Sequence, residues 1–182
     1  DFTNLDFNNY VVNVYQKEHG NQQVGLDVMD HLSQTRLLKY MFRNKGDLTF
    51  ENSTKDAGFT EKMTSSGAAY ADLDGDGNLD IVVNPLLSEA FILKNNMPVK
   101  NYLNVRFHGD SLNTFGIGAK AYVFSGGKVQ YQQLMITRGF QSATAGALHF
   151  GLDTLQQVDS LLVVWPDGRY QHIDHPAINN TI

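Results

Sequence analysis

The pattern of apolar and polar residues changes twice along the chain. Over residues 1–45 apolar positions recur at helical spacing in a polar background: Phe7, Tyr10, Val11 and Val14, then Leu26, Met29 and Leu32. Thr3 or Asn4 is placed to cap the first of these helices. From 36 to 96 the pattern shortens into strand-like runs broken by Gly, Asn and Asp: "LLKYMFRN", "GAAYADL", "DIVVN" and "AFILKN". From 101 onward it reads as a second all-β unit. In "NYLNVRFHG", Leu103, Val105 and Phe107 alternate with Asn104, Arg106 and His108, so one face is expected buried and the other wet. "AYVFSGGKVQY" predicts a hairpin turning at Gly126-Gly127, because glycine tolerates the positive φ of such turns. "VDSLLVVWPDGRYQHI" predicts another, turning at Pro166, Asp167 and Gly168. Its unbroken run 161–165 predicts a strand buried on both faces. The loop "NNMPVKN", 95–101, is the expected boundary between units.

Composition narrows the class. The 182 residues suffice for one large domain or two small ones, and at 42% hydrophobic content a sizeable core is expected. The net charge of −5 gives no basic face for nucleic acid. With no cysteine there is neither a disulfide scaffold nor a thiolate zinc site. No run approaches the ~20 apolar residues of a membrane span. The chain opens on "DFTNLDFNNY" without a methionine or signal peptide, and is expected to be a piece of a longer precursor.

The strongest chemical signal is "DLDGDGNLD", residues 72–80. Asp72, Asp74, Asp76, Asn78 and Asp80 occupy every second position, and unpaired carboxylates so placed repel one another. The spacing is that of an EF-hand-type calcium loop, with carboxylates at positions 1, 3 and 5, a backbone carbonyl at 7, a ligand at 9 and glycine at 6, here Gly77. An all-oxygen set favours calcium over zinc. Two features depart from the helix–loop–helix sensor: Val83 stands where position 12 normally has Glu, and the flanks are strand-like. The reading is a calcium loop between two strands, set against the alternative of a solvated acidic turn.

"GAAYADLDGDGNLDIVVN" resembles an FG-GAP (VCBS-type) repeat, the blade unit of integrin-like β-propellers, and "YMFRNKGDLTFENSTKDAGF" resembles the connection before such blades. "GIGAKAYVFSGGKVQYQQLMITRGFQSATAGALHFGLDTLQQVDSLLVVWPDG" resembles the ASPIC/UnbV domain, found beside FG-GAP blades in the cartilage acidic protein family and its exported bacterial homologues. The motifs "RGFQS", "HFGL" and "WPDG" carry this in their order and spacing, with Asp153 replacing a usual glycine. The opening "DFTNLDF" resembles the inter-blade insertion of the bacterial proteins. The resemblance implies a mainly β fold: a helical insertion over 1–35, a calcium-binding propeller blade over 36–98, then an antiparallel β-sandwich or barrel over 99–182. It implies an exported cell-surface, outer-membrane or extracellular protein without established enzymatic activity, whose propeller is completed by further blades of the precursor.

Other candidates are weaker. His172 and His175, three apart in a strand, point to opposite faces and cannot chelate together. His149 reads more readily as a hydrogen-bonded structural histidine than as a ligand or base. Ser142 lacks a G-x-S-x-G context. Acid pairs such as Asp74 and Asp76 suit glycoside hydrolysis, but a cation would engage them. Tyr122, Phe124 and Tyr170 suit either stacking on a ligand or covering a packed sheet. Arg138, Phe140 and Gln141 in "TRGFQS" combine a charge, a ring and an amide on a tight turn, the expected ligand-binding point. Arg138 is equally suited to pairing with an acidic neighbour. The functional expectation is a calcium-stabilised, non-enzymatic binding or adhesion module for a glycan or a surface protein. The alternative is a carbohydrate-active hydrolase or an accessory domain of one.

Overall fold

The computed structural model describes residues 9, 12, 13, 36–85, 88–110, 112–144 and 146–182. Asn9, Val12 and Asn13 are helical; the remainder of the helices expected over 1–35, with their caps at Thr3 or Asn4, lies outside the described residues. The protein is mainly β, and it divides into two compact units, Asp1–Thr64 and Ser65–Ile182.

In the first unit, "LLKYMFRN" does not form one strand. It splits into β1 (Leu37–Leu38) and β2 (Phe42–Asn44). β1 pairs antiparallel with β4 (Lys62–Met63), and β2 with β3 (Phe50–Asn52). The β2–β3 turn is built by short polar side chains: Asn44 Oδ1 accepts from Gly46 N at 2.8 Å and Asp47 Oδ1 from Thr49 N at 3.0 Å. Thr54 is buried, and its Oγ1 accepts from Met41 N at 3.0 Å, satisfying an amide that neither strand reaches.

The second unit contains the acidic loop and the ASPIC-like strands together, and the loop 95–101 lies within it. β5 (Ser65–Ala71), β6 (Asp80–Pro85) and β7 (Phe91–Leu93) form an antiparallel sheet in that order, with 72–79 as the β5–β6 connection. The chain continues through β8 (Asn101–Arg106), β9 (Lys120–Ser125), β10 (Lys128–Gln133), β11 (Thr137–Gly139), β12 (Ser142–Ala143), β13 (Ala147–Asp153), β14 (Ser160–Val164), β15 (Tyr170–Asp174) and β16 (Asn180–Thr181). Two sheets result, ordered β10-β9-β14-β15 and β13-β8-β16, and β11 pairs with β12 in a small hairpin. The pair β8–β16 is parallel, in an otherwise antiparallel arrangement.

Both sheets are open, so of the two forms expected from the sequence the sandwich is the one realised. Period-2 alternation points one face of each strand inward. Ala121, Val123, Leu161 and Val163 from the first sheet meet Leu103, Val105, Leu148, Phe150 and Leu152 from the second in one core. Burying each larger side chain contributes about 1.5–3 kcal/mol. β14 is central in its sheet, but it is not buried on both faces. Leu161 and Val163 are buried while Leu162 and Val164 are half-buried on the outer face, beside Tyr122 and Lys120 of β9. The Gly126-Gly127 turn has φ of 56° and 73°, as its sequence predicts. Asp153 takes the conformation a glycine would favour, with φ 54°, at a bulge in β13. Aspartate tolerates that region better than most residues, and Lys100 pairs with its carboxylate at 2.5 Å.

Candidate metal site

The β5–β6 connection is wound around the carboxylate of Asp72. Its Oδ1 accepts from Gly75 N at 2.8 Å and Asp76 N at 3.1 Å, and its Oδ2 from Gly77 N at 2.9 Å. Gly75 and Gly77, with φ of 76° and 89°, let three amides converge on one side chain. Asp80, at the start of β6, is buried to 3% exposure. It ties the loop together, with Oδ2 accepting from Leu73 N at 3.1 Å and Oδ1 from Asn95 N at 2.8 Å. Carboxylate oxygens of Asp72, Asp74 and Asp80 lie within 4.8 Å of one another.

Asp76, also singled out by spacing, lies in the same loop but outside that carboxylate cluster, and Asn78 follows two residues on. Asp76 Oδ1 accepts from Asn78 N at 2.8 Å, and Asn78 Nδ2 donates to Met97 O at 3.1 Å. The cluster has a cation beside it: the Lys94 ammonium pairs with Asp74 Oδ2 and stands 3.9 Å from Asp76 Oδ2. That hydrogen bond, above all, holds the Asp74 carboxyl below the usual carboxylate range and raises Lys94. Oxygen-only donors with concentrated negative charge suit a hard cation.

Spacing alone did not reveal what the loop rests on. A Cβ added to Gly77 would overlap the ring of Tyr102 on β8. Tyr102 stacks in turn on His149 of β13, with centroids 5.6 Å apart and planes 18° from parallel. His149 Nδ1 lies 2.8 Å from Asn104 Oδ1, so it has the structural, hydrogen-bonded place expected of it. Burial pushes His149 below its ordinary value of 6.5, with the charge of Asp72 opposing the shift.

A depressed histidine favours the fold most when neutral. Its contribution is therefore full above the unfolded value, near 6.5, and is lost as pH falls below that through the folded value. The urea midpoint of the metal-free chain is expected to fall as the pH drops below about 6.5, and His149→Gln is expected to flatten that part of the profile. An unaltered profile in the variant would show that another group titrates.

The "TRGFQS" residues form the β11–β12 hairpin. Arg138, Phe140 and Gln141 are exposed, Gln141 has φ 47°, and Phe140 is 70% exposed. The hairpin lies on β5: a Cβ at Gly67 would overlap Ser142 Oγ and stand 3.0 Å from Phe140 O. The three side chains serve different hollows. Arg138 borders a mostly apolar cavity of about 540 Å³ with Tyr70, Ile81, Leu134 and His149. Phe140 and Gln141 border a smaller one, about 230 Å³, over Gly67 and Val82. Arg138 has no ion pair among the described residues. His172 Nδ1 lies 3.4 Å from Asp174 Oδ1, while His175 follows the strand with φ 44°, and no described metal-ligand cluster includes either. Tyr122 and Phe124 are half-buried on the outer face of the four-stranded sheet, and Tyr170 is exposed. No described helix is long and apolar enough to cross a membrane.

No curated protein matches the chain. Family models do: one described as an FG-GAP-like repeat covers residues 33–83, and one described as ASPIC and UnbV covers residues 109–182. The first ends within β6, just past the acidic loop; the second takes in every strand from β9 onward. The chain therefore carries an FG-GAP-like repeat followed by an ASPIC and UnbV domain.

Proposed function

We propose that this chain is a calcium-stabilised, non-enzymatic binding or adhesion module for a glycan or surface protein, exported and working beside further propeller blades. The observation that carries the reading is the acidic loop, whose carboxylates are clustered and held by backbone amides. Asp72, Asp74, Asp76 and Asp80 would hold calcium by side chain and Asn78 by its carbonyl. The ion would supply positive charge where the carboxylates repel. With no twelfth-position Glu and strands at both flanks, the site reads as structural rather than as a switch. Export and the neighbouring blades are drawn from the FG-GAP and ASPIC/UnbV resemblance.

The hydrolase reading finds less support. It needs two carboxyl groups facing a cleft, one of them able to hold a proton near neutrality. Asp110 and Asp167 do face a cleft, but both pair with Arg169. Hydrogen bonds from the Arg169 backbone and side chain hold Asp167 below the usual carboxylate range, which is the wrong direction for a general acid.

Calcium at 100 times Kd adds about 2.7 kcal/mol to the folded state, or roughly 5–10 °C in Tm for a chain of this size. Differential scanning calorimetry with millimolar calcium against chelator measures it. Asp74→Ala is expected to abolish the shift. Lys94→Gln is expected to enlarge it, because the metal-free loop loses its internal cation while the loaded loop loses a competitor. An identical Tm with and without chelator in the parent would sink the calcium reading. For the ligand, Arg138→Ala is expected to weaken glycan or surface-protein binding at the β11–β12 hairpin with Tm unchanged, as read by biolayer interferometry. Unchanged binding would place the ligand elsewhere.

A further inference from the structure

We infer that the cleft lined by residues 108–110 and 112–113 on one side and the β14–β15 turn on the other is a binding site for a short neutral saccharide. The inference rests on the binding-module reading and gives it a location apart from the Arg138 hairpin. The cleft holds about 960 Å³, near the upper end of the roughly 300–1,000 Å³ typical of small-ligand sites.

Its walls are held by contacts within the chain. Trp165 packs edge-on against Phe107, with centroids 5.7 Å apart and planes at 72°, and its Nε1 donates to Gln171 Oε1 at 3.0 Å. Gly116, with φ 65°, allows the loop to close on this pair: a Cβ there would overlap Phe107 and stand 3.2 Å from Trp165 Cζ3. Asn113 clamps the loop, its Oδ1 accepting from Ile117 N and its Nδ2 donating to Ile117 O, each at 2.9 Å. Arg169 links the two sides, its Nε 2.6 Å from Asp167 Oδ2 and its NH2 nitrogen 3.5 Å from Asp110 Oδ2. These contacts hold Trp165 and its loop in place, while the exposed Tyr170 ring would be ordered by the ligand itself.

The lining selects a chemistry. A sugar ring offers a C–H face, which packs on aromatic rings, and a rim of hydroxyls, which pair with planar polar groups. The cleft supplies both: the rings of Trp165 and the 74% exposed Tyr170, and the polar groups of Asp110, Asp167 and Gln171. Each carboxylate keeps acceptor capacity beyond its bond to Arg169, and Gln171 keeps its amide donors. A purely apolar ligand would strand these groups. An anionic ligand fares no better, because Arg169 is the only Lys or Arg among the described lining residues and already faces two carboxylates.

Trp165 is the only tryptophan of the chain, so its emission reports on this cleft directly. The test titrates the full chain with cellobiose, maltose, lactose, chitobiose and mannobiose, and with a uronic-acid disaccharide as the anionic arm. The expected result is a saturable emission change with at least one neutral sugar. Its Kd should weaken at least tenfold in Gln171→Ala and Tyr170→Ala, at unchanged Tm, and hold in Lys128→Ala, an exposed position on β10 that does not line the cleft. A preference for the uronic-acid sugar overturns the neutral assignment. A silent Trp165 across the panel, or a change indifferent to both cleft variants, overturns the site. A glycan array and a surface-protein binding screen run in parallel separate the two readings. Binding there with Trp165 silent removes the cleft and keeps the module; silence in every arm removes both.

Discussion

Phe150→Ala is expected to lower the unfolding free energy by about 3–5 kcal/mol, the range for removing a buried aromatic ring. Phe150 is fully buried on β13, where it pairs in register with Leu103 of β8. Its neighbours in the shared core come from both sheets, so the vacated space cannot be refilled by moving one strand alone. Such a loss is a large part of the ~5–15 kcal/mol that stabilises a typical domain. Urea denaturation followed by circular dichroism measures it. Phe140→Ala is the control: its 70% exposed ring should cost under about 0.5 kcal/mol. Equal losses at the two positions would contradict the placement of the core.

Gly77→Ala is expected to act on the acidic loop and the sandwich at once. At φ 89° an L-residue costs about 1–2 kcal/mol. The added methyl also meets the Tyr102 ring, and overpacking of that kind costs about 1–3 kcal/mol more. Gly75→Ala separates the two contributions. Gly75 has a similar φ of 76°, with nothing within 4 Å of an added Cβ, so only the backbone penalty should appear there. A double-mutant cycle with Tyr102→Ala is expected to return the overpacking part and leave the φ part. Equal losses for Gly75→Ala and Gly77→Ala, with no coupling to Tyr102, would mean that the loop does not bear on β8. Because Gly77 N donates to Asp72 Oδ2, the calcium-dependent rise in Tm proposed above should shrink in Gly77→Ala and persist in Tyr102→Ala.

Much of this protein is local and was readable as such. Alternation in "NYLNVRFHG" put Leu103, Val105 and Phe107 on one face, and all three are buried. Strand pleat has a period of two, whatever the strand pairs with. The turns at Gly126-Gly127 and Asp167-Gly168 follow from positive φ at glycine, a property of one residue. The wrapping of Asp72 by its own loop is likewise local, since every amide it accepts from lies within five residues. Where the sequence reading erred, it extended a local pattern past a long-range decision. "LLKYMFRN" broke into β1 and β2 because its two halves found different partners, β4 and β3. The run 161–165 read as doubly buried, yet the sandwich has only two layers and leaves the outer face of β14 half-exposed.

Tertiary structure alone decided what meets what. Lys94 beside Asp74, Tyr102 under Gly77 and Ser142 over Gly67 join residues separated by 20 or more positions, and no periodicity encodes such pairs. The Arg169 link to Asp110 and the contact of Trp165 with Phe107 bring one loop to another across the end of the sandwich. The sequence by itself determined which residues alternate, turn and repel, because those properties act over a few bonds. Which surfaces close on one another was settled by packing, where a missing Cβ or one long cation matters only once a distant strand has arrived.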